Sequence, residues 1–184
     1  MLKSDRYIGG GKLFFKPNKV GATEVELAEV QDVKFKVNVT TKEAFAKSNV
    51  MKVLVAKVAT EINSTISFSV QKLNIETVAM AMQGTVTSET FAIGSKLPDN
   101  TVATAQTVIP VVKVGDNPII EGQLRFVGDE DGDKKPVLLV FNAVITPSGD
   151  ISYITEDFAQ LSFEGAVLKT VDGYAKEYRM TVGE

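Results

Sequence analysis

Hydrophobic and polar residues alternate along much of this chain, which is the pattern of β-strands with one buried face. The alternation is clearest over residues 32–40, 65–72 and 161–167, and successive side chains of a strand point to opposite faces of its sheet. Residues 119–127 and 136–146 also alternate and are joined by an acidic segment, so we predict a hairpin there. Clusters of Gly, Pro, Asn and Asp separate these segments. The pattern therefore favours a mainly β fold, a sandwich or barrel of antiparallel strands.

The alternation also predicts which side chains share a face. In the first of these strands the face predicted to be buried consists of Val33, Phe35, Val37 and Val39. In the returning strand of the hairpin one face consists of Val137, Leu139, Phe141, Ala143 and Ile145, and the other of Leu138, Val140, Asn142 and Val144.

One helix is predicted, at about residues 74–83, flanking the strands. Asn74 suits the N-cap position because its side-chain oxygen can accept a hydrogen bond from a backbone N–H two or three residues later. Gly84 follows as a residue that can adopt φ > 0 at the helix end. Apolar residues recur with i, i+3, i+4, i+7 spacing and should pack on the sheet. They are Ile75, Val78, Ala79 and Met82.

Residues 41–61 fit no single pattern. Apolar residues and lysines are interleaved there, and as a solvated loop the segment would expose too much apolar surface. Residues 42–47 are also compatible with one or two helical turns. Either the segment is another strand of the core, or it is an arm that packs on a neighbouring subunit. The apolar residues concerned are Phe45, Val50, Met51, Val53, Leu54 and Val55.

The composition excludes several classes of function. The 184 residues include no Cys and no His, which removes thiol nucleophiles, disulfides, the commonest general base and the commonest metal ligands. We therefore expect neither an enzyme nor a cofactor. The net charge of −3 predicts no general attraction to nucleic acid. No apolar run approaches the roughly 18 residues of a membrane span. The length predicts one domain, 1–184, and we expect no signal peptide.

Two charged regions are candidate binding sites. Residues 129–133 (DEDGD) bring carboxylates together, but the EF-hand spacing fails because loop position six is Lys134 instead of glycine. A solvated hairpin tip with an Asp-Gly turn is favoured over a Ca²⁺ site. Six lysines lie at 34, 36, 42, 47, 52 and 57. The aromatic residues of that strand point away from them, so a solvated face or subunit interface is favoured over single-stranded nucleic acid.

Long alternating strands leave sheet edges that must be protected. A head-to-tail contact between subunits can extend the sheet and closes into a ring when the rotation allows it.

Three segments give the chain a resemblance to the bacteriophage tail tube (major tail protein) family. Residues 28–37 (AEVQDVKFKV) resemble an early strand of the family, with Glu29 where glycine is common. Residues 67–84 (SFSVQKLNIETVAMAMQG) are similar to its strand–helix unit, and this is the most specific of the three. Residues 157–165 (DFAQLSFEG) resemble a late run of the family.

The resemblance implies a structural protein of the virion, assembled in the host cytoplasm. Its subunits would form six-membered rings that stack into a hollow tube through which DNA passes without specific binding. The implied partners are further copies of the chain and other tail proteins, namely the tape measure and the tail tip or terminator. In this family a long loop between early strands reaches the adjacent ring, and 41–61 lies at the matching place. Candidates for the lumen wall are Glu121, Gln123 and Arg125.

The alternative function is a β-sandwich module that binds carbohydrate or another surface. Such a module needs exposed aromatic residues, whereas the chain has no Trp and most Phe residues fall on faces predicted to be buried.

Overall fold

A computed structural model describes residues 9–27, 29–48, 51–130, 134–153 and 158–181. These residues form a mainly β fold with one short flanking helix, as predicted. The elements are β1 (Gly11–Pro17), β2 (Val25–Leu27), β3 (Val30–Ser48), β4 (Met51–Val70), α1 (Ile75–Ala81), β5 (Thr85–Phe91), β6 (Thr107–Lys113), β7 (Ile120–Gly128), β8 (Lys134–Pro147), β9 (Leu161–Val167) and β10 (Ala175–Thr181).

Most strands belong to one antiparallel sheet in the order β2-β1-β7-β8-β9-β4-β3. Strand β10 pairs with residues 134–140 of β8, and β9 pairs with residues 143–147 of the same strand. The sheet curls, because Gly11 and Phe126 from its first strands line the same small cavity as Val30 and Val33 from its last strand. Curling lets one face of the sheet enclose a core that a single short helix could not cover.

The core lies inside this curl. Leu13, Ile66, Leu124, Ile145 and Phe163 are at most 1% exposed and come from five different strands. Phe68 and Phe163 stack with their ring centroids 5.2 Å apart. The buried apolar side chains of the strands belong to one hydrophobic cluster, and each fully buried side chain of this kind contributes about 1.5–3 kcal/mol relative to exposure.

The hairpin of β7 and β8 forms as predicted, but the predicted face of β8 is wrong. Gly122 pairs with Ala143, whereas Leu124 pairs with Val140, so β8 contains one extra residue between these two pairs. This β-bulge reverses the alternation. Val140, Ala143 and Ile145 are buried. Leu138 and its cross-strand partner Phe126 are partly buried against the same core. Val137 and Leu139 lie on the outer face, where they pair with Val127 and Arg125.

The predicted buried face of β3 ends sooner than the pattern suggests. Val33 and Phe35 pack against the core, but Val37 and Val39 are each more than half exposed. The reason is topological: β4 stops pairing with β9 at Ser64, and Ser64 is the partner of Val37 in β3. Beyond this point the two strands have left the sheet.

Helix α1 begins after Asn74, whose side chain accepts a hydrogen bond from the Thr77 N–H at 2.7 Å, as predicted for an N-cap. Thr77, Ala79 and Ala81 are buried, whereas Ile75, Val78 and Met82 are half-buried. The left-handed residue after the helix is Gln83 (φ 48°) instead of Gly84. Gly84 is needed for a different reason: a Cβ there would collide with the carbonyl oxygen of Lys113.

Strands β5 and β6 form a separate two-stranded sheet. Pro110 lies opposite Ser88 in β6, which pairs only with β5 among the described strands and so leaves one edge free for a residue without a backbone N–H. Two strands alone are marginally stable, and this pair packs against α1.

Candidate assembly surface

Residues 41–61 are called the arm here, because the described parts, 41–48 and 51–61, form two long antiparallel strands that project from the sheet. Within the described residues, β3 and β4 pair only with each other beyond Ser64, from Asn38–Asn63 out to Ser48–Met51. About ten residues on each strand at about 3.3 Å per residue make the projection about 33 Å long. The described part of the segment is therefore a pair of β-strands. It is not a further strand of the core, and its contact with a neighbouring subunit stays a prediction.

The apolar side chains of the arm are exposed. Phe45 is 55% exposed, Met51 73% and Leu54 48%. Val53 and Val55 are similarly exposed, while Val50 lies outside the described residues. Ordinary surfaces carry scattered apolar residues, but a contiguous group of this size on a projecting element is typical of an interaction surface.

The register assigns these side chains to both faces of the arm. Phe45 pairs with Leu54, and Lys47 pairs with Lys52 on the same face two residues nearer the tip. The intervening pair, Ala46–Val53, lies on the opposite face. Bulges between Thr40 and Thr41 and between Ala44 and Phe45 interrupt the ladder, which increases the twist of the ribbon. Both faces are thus partly apolar, so burying one would still leave the other exposed.

The arm and the rest of the chain have opposite net charges. The arm contains four of the 20 basic residues and two of the 23 acidic residues, so its net charge is +2 and that of the remaining chain is −5. One lysine of the arm is paired internally, because Lys57 Nζ lies 2.9 Å from Glu43 Oε1. The lysines nearest the tip, Lys47 and Lys52, face each other across the ladder, which is unfavourable unless an acidic partner lies nearby.

The predicted lumen residues share the outer face of β7. Arg125 donates from Nε to Glu24 Oε1 at 2.9 Å and from a second nitrogen to Glu24 Oε2, and its guanidinium lies 4.3 Å from the ring centroid of Phe14. The hydrogen bonds from Arg125 lower the pKa of Glu24, and its charge adds to the effect. Glu121 accepts a 2.6 Å hydrogen bond from Asn142 Nδ2. Gln123 is exposed. Of these three residues, Arg125 is in an ion pair with Glu24, Glu121 is bonded to a neutral amide, and Gln123 is uncharged.

The acidic segment lies between β7 and β8, and the Asp-Gly turn predicted for it lies outside the described residues. Asp129 and Glu130 are exposed, and residues 131–133 lie outside the described part of the chain. No group of three metal-ligating side chains occurs among the described residues. No helix among them has the length and hydrophobicity needed to cross a membrane.

The structure also contains a groove that the sequence pattern does not predict, which we call the helix groove. It has a volume of about 580 Å³ and lies between α1, the start of β5, the end of β1 and the start of β7. Its lining includes Ala79, Met80, Val86 and Ile119 together with two carboxylates. These residues come from distant parts of the chain, so no local signal could have revealed it.

No protein-family model matches the sequence, and no curated protein matches it. The resemblance to tail tube proteins therefore stays a prediction from the residues quoted for it.

Proposed function

We propose that this protein is the structural subunit of a phage tail tube, in which six-membered rings stack into a hollow tube for DNA passage. The rings are held together by the arm and by sheet edges, and the protein's function lies in these contacts instead of in a catalytic site.

The arm is the observation that carries the proposal. Its apolar side chains lie along a projection about 33 Å long, outside the core formed by the described residues, so a fold made for a monomer gains nothing from them. A neighbouring subunit that covers them would recover their hydrophobic free energy, about 25 cal/mol per Å² of apolar surface.

A second support is the open edge of β3. This 19-residue strand pairs with β4 on one side, and no other strand of the described residues pairs with it on the other. Such an edge presents a row of backbone donors and acceptors to another chain. Head-to-tail pairing at this edge is compatible with closure into a ring.

A third support concerns the early motif of the resemblance. Glu29 occupies the position where the family commonly has glycine, and its φ is 55°. This left-handed conformation is the one that glycine adopts without strain. A left-handed residue at this position is compatible with a family in which glycine is common there.

The arm deletion tests the proposal. Thr41 and Ala59 are cross-strand partners, so residues 42–58 can be replaced by Asn-Gly, which closes a two-residue hairpin turn. We expect this variant to fold as a monomer with the circular dichroism and melting behaviour of a β protein and to form no tubes. Tubes of normal appearance in negative-stain electron micrographs of the variant would refute the role of the arm.

A surface-binding module is the second candidate, supported by two exposed aromatic residues. Tyr153 is 77% exposed and Phe158 87% exposed, and exposed rings are what a carbohydrate-binding face requires. Size-exclusion chromatography over a range of concentrations separates the two functions, because a binding module stays monomeric whereas a tube subunit assembles.

A further inference from the structure

We propose that the helix groove of one subunit receives the arm tip of a second copy, by which we mean the described residues 45–47 and 52–54 of the arm. This inference rests on the proposed function, because it names the surface that the arm contacts within the assembly.

The helix groove is preformed. The loop that closes one side of it is fixed to the end of α1 by three hydrogen bonds, from Gly115 N–H to the Met82 carbonyl, from Asn117 N–H to the Gln83 carbonyl, and from Gln83 Nε2 to the Pro118 carbonyl. These distances lie between 2.8 and 3.2 Å. A rigid concave surface binds more tightly than a flexible one because it loses little conformational entropy on association.

The floor of the groove is largely apolar. Ile119 is 64% exposed and Val86 44% exposed, and both line the groove beside Ala79 and Met80. Its volume of about 580 Å³ falls within the range of about 300–1,000 Å³ that is typical of ligand pockets, and this is room for more than one side chain.

Three charged side chains line the groove, two carboxylates and one lysine. Glu76 lies in the first turn of α1 and is exposed. Glu121 is held in place by its hydrogen bond from Asn142. Lys19 also lines the groove, so the three charged side chains leave a net charge of −1.

The arm tip has the complementary chemistry on one face. Phe45 and Leu54 supply two large apolar side chains for the floor, and Lys47 and Lys52 supply two cations two residues further along. The separation of these pairs, about 6–7 Å along a strand, allows the apolar pair to enter the groove while the lysines meet the carboxylates. The +2 charge of the arm against −5 for the rest of the chain favours the same encounter over contact between two arms.

The occupant is a second copy because the arm projects from its own subunit. Its side chains are exposed, so its own groove does not hold them. Glu121, predicted from the sequence as a lumen residue, then lies in a subunit contact, and the lumen face is left to Gln123 and Arg125.

Cross-linking tests the contact directly, because the chain has no Cys and introduced thiols react alone. Leu54→Cys protein is mixed with Ile119→Cys protein, allowed to assemble, and treated with a short bis-maleimide. We expect a cross-linked dimer in this mixture. The matched control mixes Leu54→Cys with Val171→Cys, which places a thiol at a fully exposed position outside the groove, and should give no dimer above background.

The outcomes separate this inference from the proposed function. Tubes without a dimer band specific to Ile119→Cys would overturn the groove contact and leave the tube proposal intact. A specific dimer band without tubes would support the contact and refute the tube. Absence of both would refute both.

A charge exchange tests the electrostatic part of the contact. Lys47→Glu with Lys52→Glu should raise the protein concentration needed for assembly by about two- to fivefold for each exposed ion pair lost. Adding Glu76→Lys to the same chain should recover part of that loss. A further rise in the required concentration would show that Glu76 does not meet these lysines.

Discussion

The arm pair Phe45 and Leu54 provides the sharpest perturbation. The two side chains are 55% and 48% exposed, which amounts to on the order of 200 Å² of mostly apolar surface. If an interface covers all of it, the burial contributes about 5 kcal/mol for each seated arm at 25 cal/mol per Å². Association costs and incomplete burial reduce this, so we expect Phe45→Ser with Leu54→Ser to remove about 2–4 kcal/mol for each contact.

This loss predicts a roughly 30- to 1,000-fold weaker association in an otherwise folded protein. The exposed positions of the two side chains limit the change in the free energy of unfolding to about 1 kcal/mol, or a Tm shift of at most about 4 °C at this chain length. Sedimentation velocity over a concentration series measures the assembly, and calorimetry measures the Tm.

The matched control replaces two apolar residues outside the arm. Val20→Ser with Val171→Ser removes side chains that are 108% and 104% exposed, and it should leave both assembly and Tm unchanged. Equal assembly of the arm variant and the wild type would show that no subunit contact buries Phe45 and Leu54. A large fall in the Tm of the arm variant would show that the arm contributes to the core.

Three further predictions concern the stability of the subunit. Asn74→Ala removes the acceptor for the Thr77 N–H and should lower the free energy of unfolding by about 1 kcal/mol and the Tm by about 2–4 °C; an unchanged Tm would contradict the capping role. Ser64→Ala removes a buried hydroxyl oxygen that has no hydrogen-bond partner among the described residues and should raise the Tm or leave it unchanged, so a lower Tm would count against it. The folded-state pKa of Glu24 lies below its ordinary value of 4.5, so its pairing with Arg125 stabilises the fold above pH 4.5 and is lost as the pH falls through the folded pKa. Glu24→Gln should therefore reduce the free energy of unfolding at pH 7 by about 1 kcal/mol, a small value because the pair is about one-third exposed. As the pH falls below 4.5, the variant should lose less of its free energy of unfolding than the wild type does, as measured by urea titration. Parallel pH profiles for the variant and the wild type would refute this.

The features predicted correctly from the sequence are local ones. The cap at Asn74 depends on a side chain and a backbone N–H three residues apart, and the strands depend on a period of two. Thr77 shows the limit of an apolar-stripe prediction. It is polar, yet it is only 1% exposed. Its burial is possible because its hydroxyl donates to the carbonyl oxygens of Lys72 and Asn74 at 3.0 Å.

The features that the sequence did not predict depend on pairing between distant strands. The bulge in β8 is defined by its register with β7, so alternation along β8 alone could not reveal the change of face. The exposure of Val37 and Val39 follows from where β9 stops pairing with β4, which has no signature in residues 32–40. The arm segment shows the same dependence: its composition required a partner, but only the topology shows that its own core is not that partner.

Electron microscopy of the purified 184-residue protein at raised concentration is the decisive test of tube formation. We predict hollow tubes built of stacked rings, with six-fold symmetry in end-on views. Single particles of the 19.9 kDa subunit at every concentration, with no rings or tubes, would contradict it.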